Sequence, residues 1–182
     1  MQKDEIVTAI ESAQKGINQY LAIMEMFPSI DVSKDRNFQR QFNSFYRIRQ
    51  RTDKWYTEYY SYMERSKNKS VRFEDVLDHI HTILKRYEPS FSSKLAATLD
   101  PNEPVWDKYV LKNTEQKAPC YTAPNKLIIA KNIFGNIRQW YVKQMNSDEG
   151  KMMMEIFNNM VKDHNKITNV KKVDFILWKT RS

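Results

Sequence analysis

Apolar residues recur along most of the chain at spacings of three, four and seven, which is the period of an amphipathic α-helix. The first such segment, over residues 3–27, ends before Pro28, because proline disfavours helical geometry in the residue that precedes it. Further segments with this period span residues 34–66, 70–87, 90–99, 107–113, 124–145, 148–165 and 170–179. The pattern predicts an all-α fold, with about seven or eight helices bundled into a single domain over residues 1–182.

Polar residues at the starts of these segments predict where several helices begin. Ser90, Asp107 and Ser147 precede apolar runs, as does Thr168 or Asn169, and such side chains accept hydrogen bonds from free backbone N–H groups. The segment over 124–145 is apolar around much of its circumference, which predicts the central helix of the core. The segment over 170–179 is apolar on one side, which predicts a closing helix.

Composition adds a positive charge to this picture. Lysine and arginine number 30 against 22 acidic residues, which gives a net charge of +8 and an isoelectric point near 9.4. Such a surplus favours polyanionic partners, DNA or RNA before an anionic membrane surface, although a merely lysine-rich protein has the same composition. No apolar run approaches the roughly 18 residues of a membrane span, so we expect no membrane insertion.

Several kinds of chemistry have no sequence signal. Cys120 is the only cysteine, so an internal disulfide is excluded, and a lone loop cysteine is usually inert. His79 and His81 lie two residues apart and would point to different sides of a helix, so we expect no metal site. Glycine-rich phosphate loops are absent, and we expect no cofactor. The N-terminus lacks the apolar region of a signal peptide, which leads us to expect a cytoplasmic protein.

The segment over 34–66 predicts two opposite faces if it forms one helix. An aromatic stripe lies on one side and consists of Phe38, Phe42, Phe45, Tyr56, Tyr59, Tyr60 and Met63. A basic ridge lies on the other, where the following residues fall within about 60° of one another: Arg36, Arg40, Arg47, Arg51 and Lys54. The ridge is either a phosphate-contacting surface or an ordinary solvated helix face. Arg49 falls inside the aromatic stripe, where a buried guanidinium would need a carboxylate partner.

Residues 89–113 bring a lysine and a carboxylate close together in the chain. Lys94 lies in one short helix, and Asp107 opens the next helix after a bend bounded by Pro101 and Pro104. Both side chains could open onto one cleft, where a desolvated lysine becomes an amine nucleophile and a carboxylate moves a proton. A solvated lysine and a helix-capping aspartate explain the same residues.

Three stretches of the chain resemble a family of uncharacterised bacterial proteins. They are NFQRQFNSFYRIRQRTDKWYTEYY at 37–60, SFSSKLAATLDPNEPVWDKYVLKN at 90–113 and KKVDFILW at 171–178. This resemblance covers most of the chain, is most specific in the middle stretch and implies no particular activity. The middle stretch also resembles, more loosely, the helix-hairpin-helix DNA glycosylases. Lys94 matches their lysine, and Pro104, Val105 and Asp107 match their Pro-Val-Asp segment, with Trp106 inserted.

The sequence therefore predicts a nucleic-acid-associated helical protein, with a glycosylase-like domain as its most specific form. In that hypothesis Lys94 and Asp107 are catalytic. The nucleic-acid backbone is bound by the basic residues Arg40, Arg47, Arg51, Lys54, Lys108 and Lys112. The alternative is a non-catalytic helical module that binds another protein, as part of a bacterial defence or restriction locus.

Overall fold

A computed structural model describes residues 1–180 of the chain. The all-α prediction is confirmed over this range, which contains nine α-helices and no strand. The helices are α1 (Lys3–Met26), α2 (Arg36–Tyr46), α3 (Asp53–Arg65), α4 (Phe73–Leu84), α5 (Pro89–Leu99), α6 (Lys108–Asn113), α7 (Lys126–Asn146), α8 (Asp148–Met160) and α9 (Asn169–Lys179), with one 3₁₀ turn at His164–Lys166. None of these helices is both long enough and apolar enough to cross a membrane.

The predicted single helix over 34–66 is wrong, and its division into α2 and α3 raises the helix count to nine. Arg47 ends α2 in the left-handed conformation, with φ 54°, and Ile48 N then donates to Asn43 O at 2.9 Å. Ile48 is buried, so the connecting loop is fixed to the core. Thr52 opens α3 by accepting a hydrogen bond from Trp55 N at 3.3 Å. The basic ridge therefore does not lie on one continuous helix.

The same division explains why Arg49 was placed incorrectly. The aromatic stripe is confirmed as a core feature, because six of its seven residues are buried and Tyr56 packs against them. Arg49, however, lies in the loop between the helices and is exposed. A helical wheel drawn through 34–66 assumes one continuous phase, and the break at Arg47 resets that phase. No buried guanidinium is present at this position.

The central helix is α9 and not α7. Helix α9 packs against α1, α6, α7 and α8, and seven of its 11 residues are buried. Helix α7 buries only one side, leaving Ile128 61% and Val142 57% exposed. Helix α7 is apolar around much of its circumference, as predicted, but the neighbouring helices bury only part of this apolar surface. Lys171 and Lys172 of α9 are buried. In the sequence, these two lysines made α9 look like an amphipathic helix with one solvent-exposed side.

Most of the predicted helix starts are confirmed. The side chains of Asp107, Ser147 and Thr168 accept hydrogen bonds from the first-turn N–H groups of α6, α8 and α9. Ser90 is an exception, because α5 already begins at Pro89. Proline is favoured in a first turn since its missing N–H would have no partner there.

Two contacts hold the bend between α5 and α6 in place. The Trp106 N–H donates to Ser93 Oγ at 2.8 Å, and this hydrogen bond is buried. Arg138 of α7 forms ion pairs with Glu74 of α4 at 2.6 Å and with Glu103 of the bend at 2.7 Å. The bend is thereby fixed to two neighbouring helices, and the start of α6 has a defined position relative to α5.

Candidate functional site

A cavity of about 200 Å³ lies where the end of α2, the middle of α5, the start of α6 and helix α9 meet. We call it the Lys94 cavity. Its charged lining residues are Arg47, Lys94, Asp107, Lys108, Lys171 and Asp174. The structure thus brings Lys94 and Asp107, 13 positions apart in the chain, to the wall of one cavity.

Lys94 is held in this wall by the backbone of α2. Its Nζ donates to Tyr46 O at 3.0 Å and lies 4.8 Å from the centre of the Phe91 ring. Burial lowers the pKa of Lys94 to about 8, and the Asp107 carboxylate opposes this shift. About a tenth of such lysines are uncharged at pH 7, far more than for a solvated lysine. The role of Lys94 as an amine nucleophile remains a prediction, and the lowered pKa is consistent with it.

Asp107 has a structural role that the geometry makes plain. Its Oδ1 accepts hydrogen bonds from Tyr109 N and Val110 N, both at 2.8 Å, and so caps α6. Burial raises the pKa of the Asp107 carboxyl; the Val110 N–H opposes the shift, and the charge of Asp174 adds to it. A carboxyl group with a raised pKa is suited to proton transfer near neutral pH. Its catalytic role remains a prediction alongside the confirmed cap.

Lys171, Asp174 and Tyr141 form a buried network that the sequence did not reveal. Lys171 is only 3% exposed, and its Nζ donates to Asp174 Oδ2 at 2.8 Å, while Asp174 Oδ1 accepts from the Tyr141 hydroxyl. Burial opposes the charged form of Lys171, but the Asp174 carboxylate outweighs it and raises the pKa of this lysine. The only sequence signal was the spacing of three between Lys171 and Asp174 on an apolar helix.

Tyr46 contributes a polar atom without a partner. The residue is 7% exposed and lines the Lys94 cavity, and its buried hydroxyl has no hydrogen bond of normal length and angle within the described part of the chain, although the Thr98 side chain lies close enough to lower its pKa. Burial raises the pKa of Tyr46, so this hydroxyl stays protonated at neutral pH. Buried polar groups are nearly always hydrogen-bonded, and the exceptions often serve a function.

The mouth of the cavity combines cations with aromatic rings. Arg47 and Lys108 are both exposed there. The Arg47 guanidinium lies 5.8 Å from the centre of the Trp178 ring, and Lys108 Nζ lies 4.8 Å from that of Tyr109. Exposed cations beside ring faces are the groups that contact phosphates and stack on bases in single-strand binding.

The other predicted nucleic-acid-binding residues do not gather at this mouth. Arg51 pairs with Glu88 at 3.1 Å and lies 4.7 Å from the Phe91 ring, so it is a structural contact beside Lys94. Arg40 lines a separate polar groove between α2 and α3. Lys54 and Lys112 are exposed on α3 and α6. Contact of these four residues with nucleic acid remains a prediction.

Comparison of the chain with protein-family models, with curated proteins and with solved structures finds no match in any of the three. The resemblances described above therefore remain expectations. The stretch that stands where the glycosylases have a glycine-rich hairpin, residues 89–93, contains no glycine and forms the first turn of α5. Among the residues that the structure describes, no group of histidine, cysteine and acidic side chains is arranged to bind a metal ion.

Proposed function

We propose that the protein binds nucleic acid and that the Lys94 cavity receives one unpaired nucleotide of the bound strand. The observation that carries this proposal is the meeting of Lys94, whose pKa is lowered to about 8, and Asp107 in one cavity. In this proposal the exposed cations Arg47 and Lys108, which line the cavity, contact the flanking phosphates. This geometry supports the glycosylase-like hypothesis through the cavity and not through a hairpin.

The chemistry available to this pair is imine formation with an aldehyde. The uncharged Lys94 amine attacks the aldehyde carbon of an abasic deoxyribose, so that a C–N bond forms and the carbonyl oxygen takes up a proton. As the attack proceeds, the Asp107 carboxylate accepts one proton from the nitrogen, and the carbonyl oxygen takes its first proton from solvent. The Asp107 carboxyl then returns its proton to this oxygen, which leaves as water, so that the product is the protonated imine, with one proton still on the nitrogen.

Trapping of this imine tests the proposal. An oligonucleotide with one abasic site, incubated with the protein and sodium borohydride, is expected to form a stable covalent adduct that Lys94→Gln abolishes. Lys117→Gln is the matched control, because Lys117 is an exposed lysine that does not line the cavity. The trapping rate should rise as the pH rises through about 8, where Lys94 loses its proton. An adduct that persists in Lys94→Gln contradicts the assignment.

Binding is tested separately from chemistry. Replacing Arg47 and Lys108 with glutamine should weaken binding of a single-stranded oligonucleotide and reduce the slope of log affinity against log salt by about 1.4, since each phosphate contact on a single strand contributes about 0.7. The control replaces Lys117 and Lys162, two exposed lysines outside the cavity lining. Equal salt slopes for the two double variants would remove Arg47 and Lys108 from the interface.

A second candidate function, a protein-interaction module, is favoured by the exposed apolar side chains of α7. Ile128 is the most exposed of the large hydrophobic residues that the structure describes. A photo-cross-linking residue in place of Ile128 should then form one discrete adduct in extracts of the native host. The same residue at Lys162, an exposed position outside α7, is the control. Equal labelling at both positions would argue against a docking surface here.

A further inference from the structure

We infer that Arg51 is a positioning residue for the Lys94 amine, beside which it holds a second, fixed cation. A neighbouring cation disfavours the ammonium form of a lysine, so it increases the fraction of the reactive amine. The inference rests on the proposed function for the use of that amine. It gives Arg51 a role at the reactive site and not on the nucleic-acid backbone.

The ring of Phe91 joins the two cations. The Arg51 guanidinium carbon lies 4.7 Å from the centre of this ring, and Lys94 Nζ lies 4.8 Å from it. The two charges are therefore less than about 10 Å apart, a separation at which physiological salt screens them only in part. Phe91 and Lys94 are three positions apart on α5, which brings their side chains to one side of that helix.

Helix α3 fixes the position of this ring. The Trp55 ring meets the Phe91 ring edge-on, with 5.5 Å between the ring centres. Tyr59 Oη donates to Phe91 O at 2.9 Å, which ties the first turn of α5 to the same helix. Arg51 directly precedes Thr52, the N-cap of α3, so its backbone is held by this helix as well.

A buried carboxylate holds the Arg51 side chain in place. Arg51 Nη2 donates to Glu88 Oε2 at 3.1 Å, and Arg86 Nε donates to Glu88 Oε1 at 3.4 Å. The side chains of Arg51 and Glu88 are only 22% and 11% exposed, so salt screens their charges less than it screens those of solvated side chains. Lys94 Nζ, in contrast, donates to the backbone carbonyl of Tyr46.

The charges around Lys94 act on it in both directions. Burial lowers the pKa of Lys94 to about 8, and the guanidinium groups of Arg47 and Arg51 add to this shift. The carboxylates of Asp107 and Glu88 oppose it. The remaining charged residues of the cavity lining are Lys108, Lys171 and Asp174. Arg47 is exposed and Arg51 is partly buried, so added salt should weaken the effect of Arg47 more than that of Arg51.

Two substitutions that break the same ion pair test the inference. Arg51→Gln and Glu88→Gln both remove the contact between these residues, so a purely structural role predicts the same effect from both. The electrostatic role predicts that Arg51→Gln raises the pKa of Lys94 by about 0.5 and that Glu88→Gln lowers it by about as much. Coulomb's law gives shifts of this size for charges about 9 Å apart at dielectric constants between about 20 and 80.

An NMR titration of the whole protein with isotope-labelled lysine side chains measures this pKa, and Lys94→Gln assigns the resonance. Arg51→Lys keeps the positive charge and should keep the pKa close to that of the unchanged protein. Arg65→Gln is the matched control, because Arg65 forms a similar ion pair with Glu58 at 2.6 Å and is not among the charges that act on Lys94. That variant should leave the pKa of Lys94 unchanged.

A pKa of Lys94 that does not rise in Arg51→Gln, or that does not fall in Glu88→Gln, would overturn the inference. The titration involves no nucleic acid, so its result is separate from that of adduct trapping. Opposite shifts without an abasic-site adduct would remove the proposed function and leave the effect of Arg51 on Lys94 standing. Where both hold, the trapping rate at neutral pH should fall about threefold in Arg51→Gln, since a rise of about 0.5 in pKa reduces the uncharged fraction by that factor.

Discussion

The unpartnered hydroxyl of Tyr46 makes an unusual prediction about stability. A buried polar group without a hydrogen bond costs about 1–3 kcal/mol, and Tyr46→Phe removes that group while keeping the ring. We expect the free energy of unfolding to rise by about 1 kcal/mol, the lower end of this range, since the neighbouring Thr98 side chain interacts with the hydroxyl. For a chain of this length, a change of about 1 kcal/mol raises Tm by about 2–4 °C.

Tyr59→Phe is the matched comparison, because it makes the same chemical change at a site with the opposite hydrogen bonding. The Tyr59 hydroxyl donates to Phe91 O at 2.9 Å, so its replacement by phenylalanine removes this hydrogen bond. The expected change is a loss of about 1–2 kcal/mol. Urea unfolding followed by circular dichroism, with unchanged m-values, measures both. The reasoning is refuted if Tyr46→Phe destabilises the protein as much as Tyr59→Phe does.

Three further predictions concern the framework around the cavity. Gly135→Ala should raise the free energy of unfolding by about 0.5–1 kcal/mol, because no neighbour lies within 4 Å of the added Cβ in the middle of α7. Gly150→Ala should strongly destabilise the protein, since its Cβ would lie 1.9 Å from a backbone oxygen. Thermal unfolding of the two variants compares them directly. Asp107→Ala should lower the free energy of unfolding by about 1 kcal/mol through loss of the α6 cap, and Asp107→Asn should lower it much less, since asparagine also caps helices. Equal losses for the two variants in denaturant unfolding would contradict the role of Asp107 as a cap. Arg138→Met should cost roughly 2 kcal/mol at neutral pH, because it removes the ion pairs with Glu103 and Glu74 and leaves Glu74 only the longer contact with Arg72 at 3.9 Å. Burial raises the pKa of Glu74, but Arg138 outweighs it and lowers that pKa, so the loss measured by pH-dependent unfolding should shrink as the pH falls below the usual carboxyl range.

Much of the fold could be predicted because local signals and tertiary packing agree. Helix periods, together with the caps Asp107, Ser147 and Thr168, act within a few residues of the chain, and all three caps are present. The break after Tyr46 could not be predicted in this way. It contains neither proline nor glycine, and the left-handed conformation of Arg47 depends on the burial of the following residue in the core.

Some residues of the candidate site could be predicted from the sequence, and others could not, for the same reason. Lys94 and Asp107 were accessible to sequence reasoning because they flank one bend, and the bend itself brings their helices together. Tyr46 and Lys171 come from α2 and α9, which are far apart in the chain. Their meeting depends on the position of α9 at the centre of the bundle, and a lysine beside apolar residues gives no sign of burial until its neighbours are known.

Peptide mapping of the borohydride-reduced adduct tests the central claim most directly. After digestion, mass spectrometry should locate the reduced abasic deoxyribose on Lys94, in the peptide of α5, and on no other lysine at comparable yield. Burial lowers the pKa of Lys94 to about 8, which favours its amine over those of solvated lysines. An adduct distributed over exposed lysines, or found elsewhere with Lys94 unmodified, would contradict the account of the cavity as the reactive site.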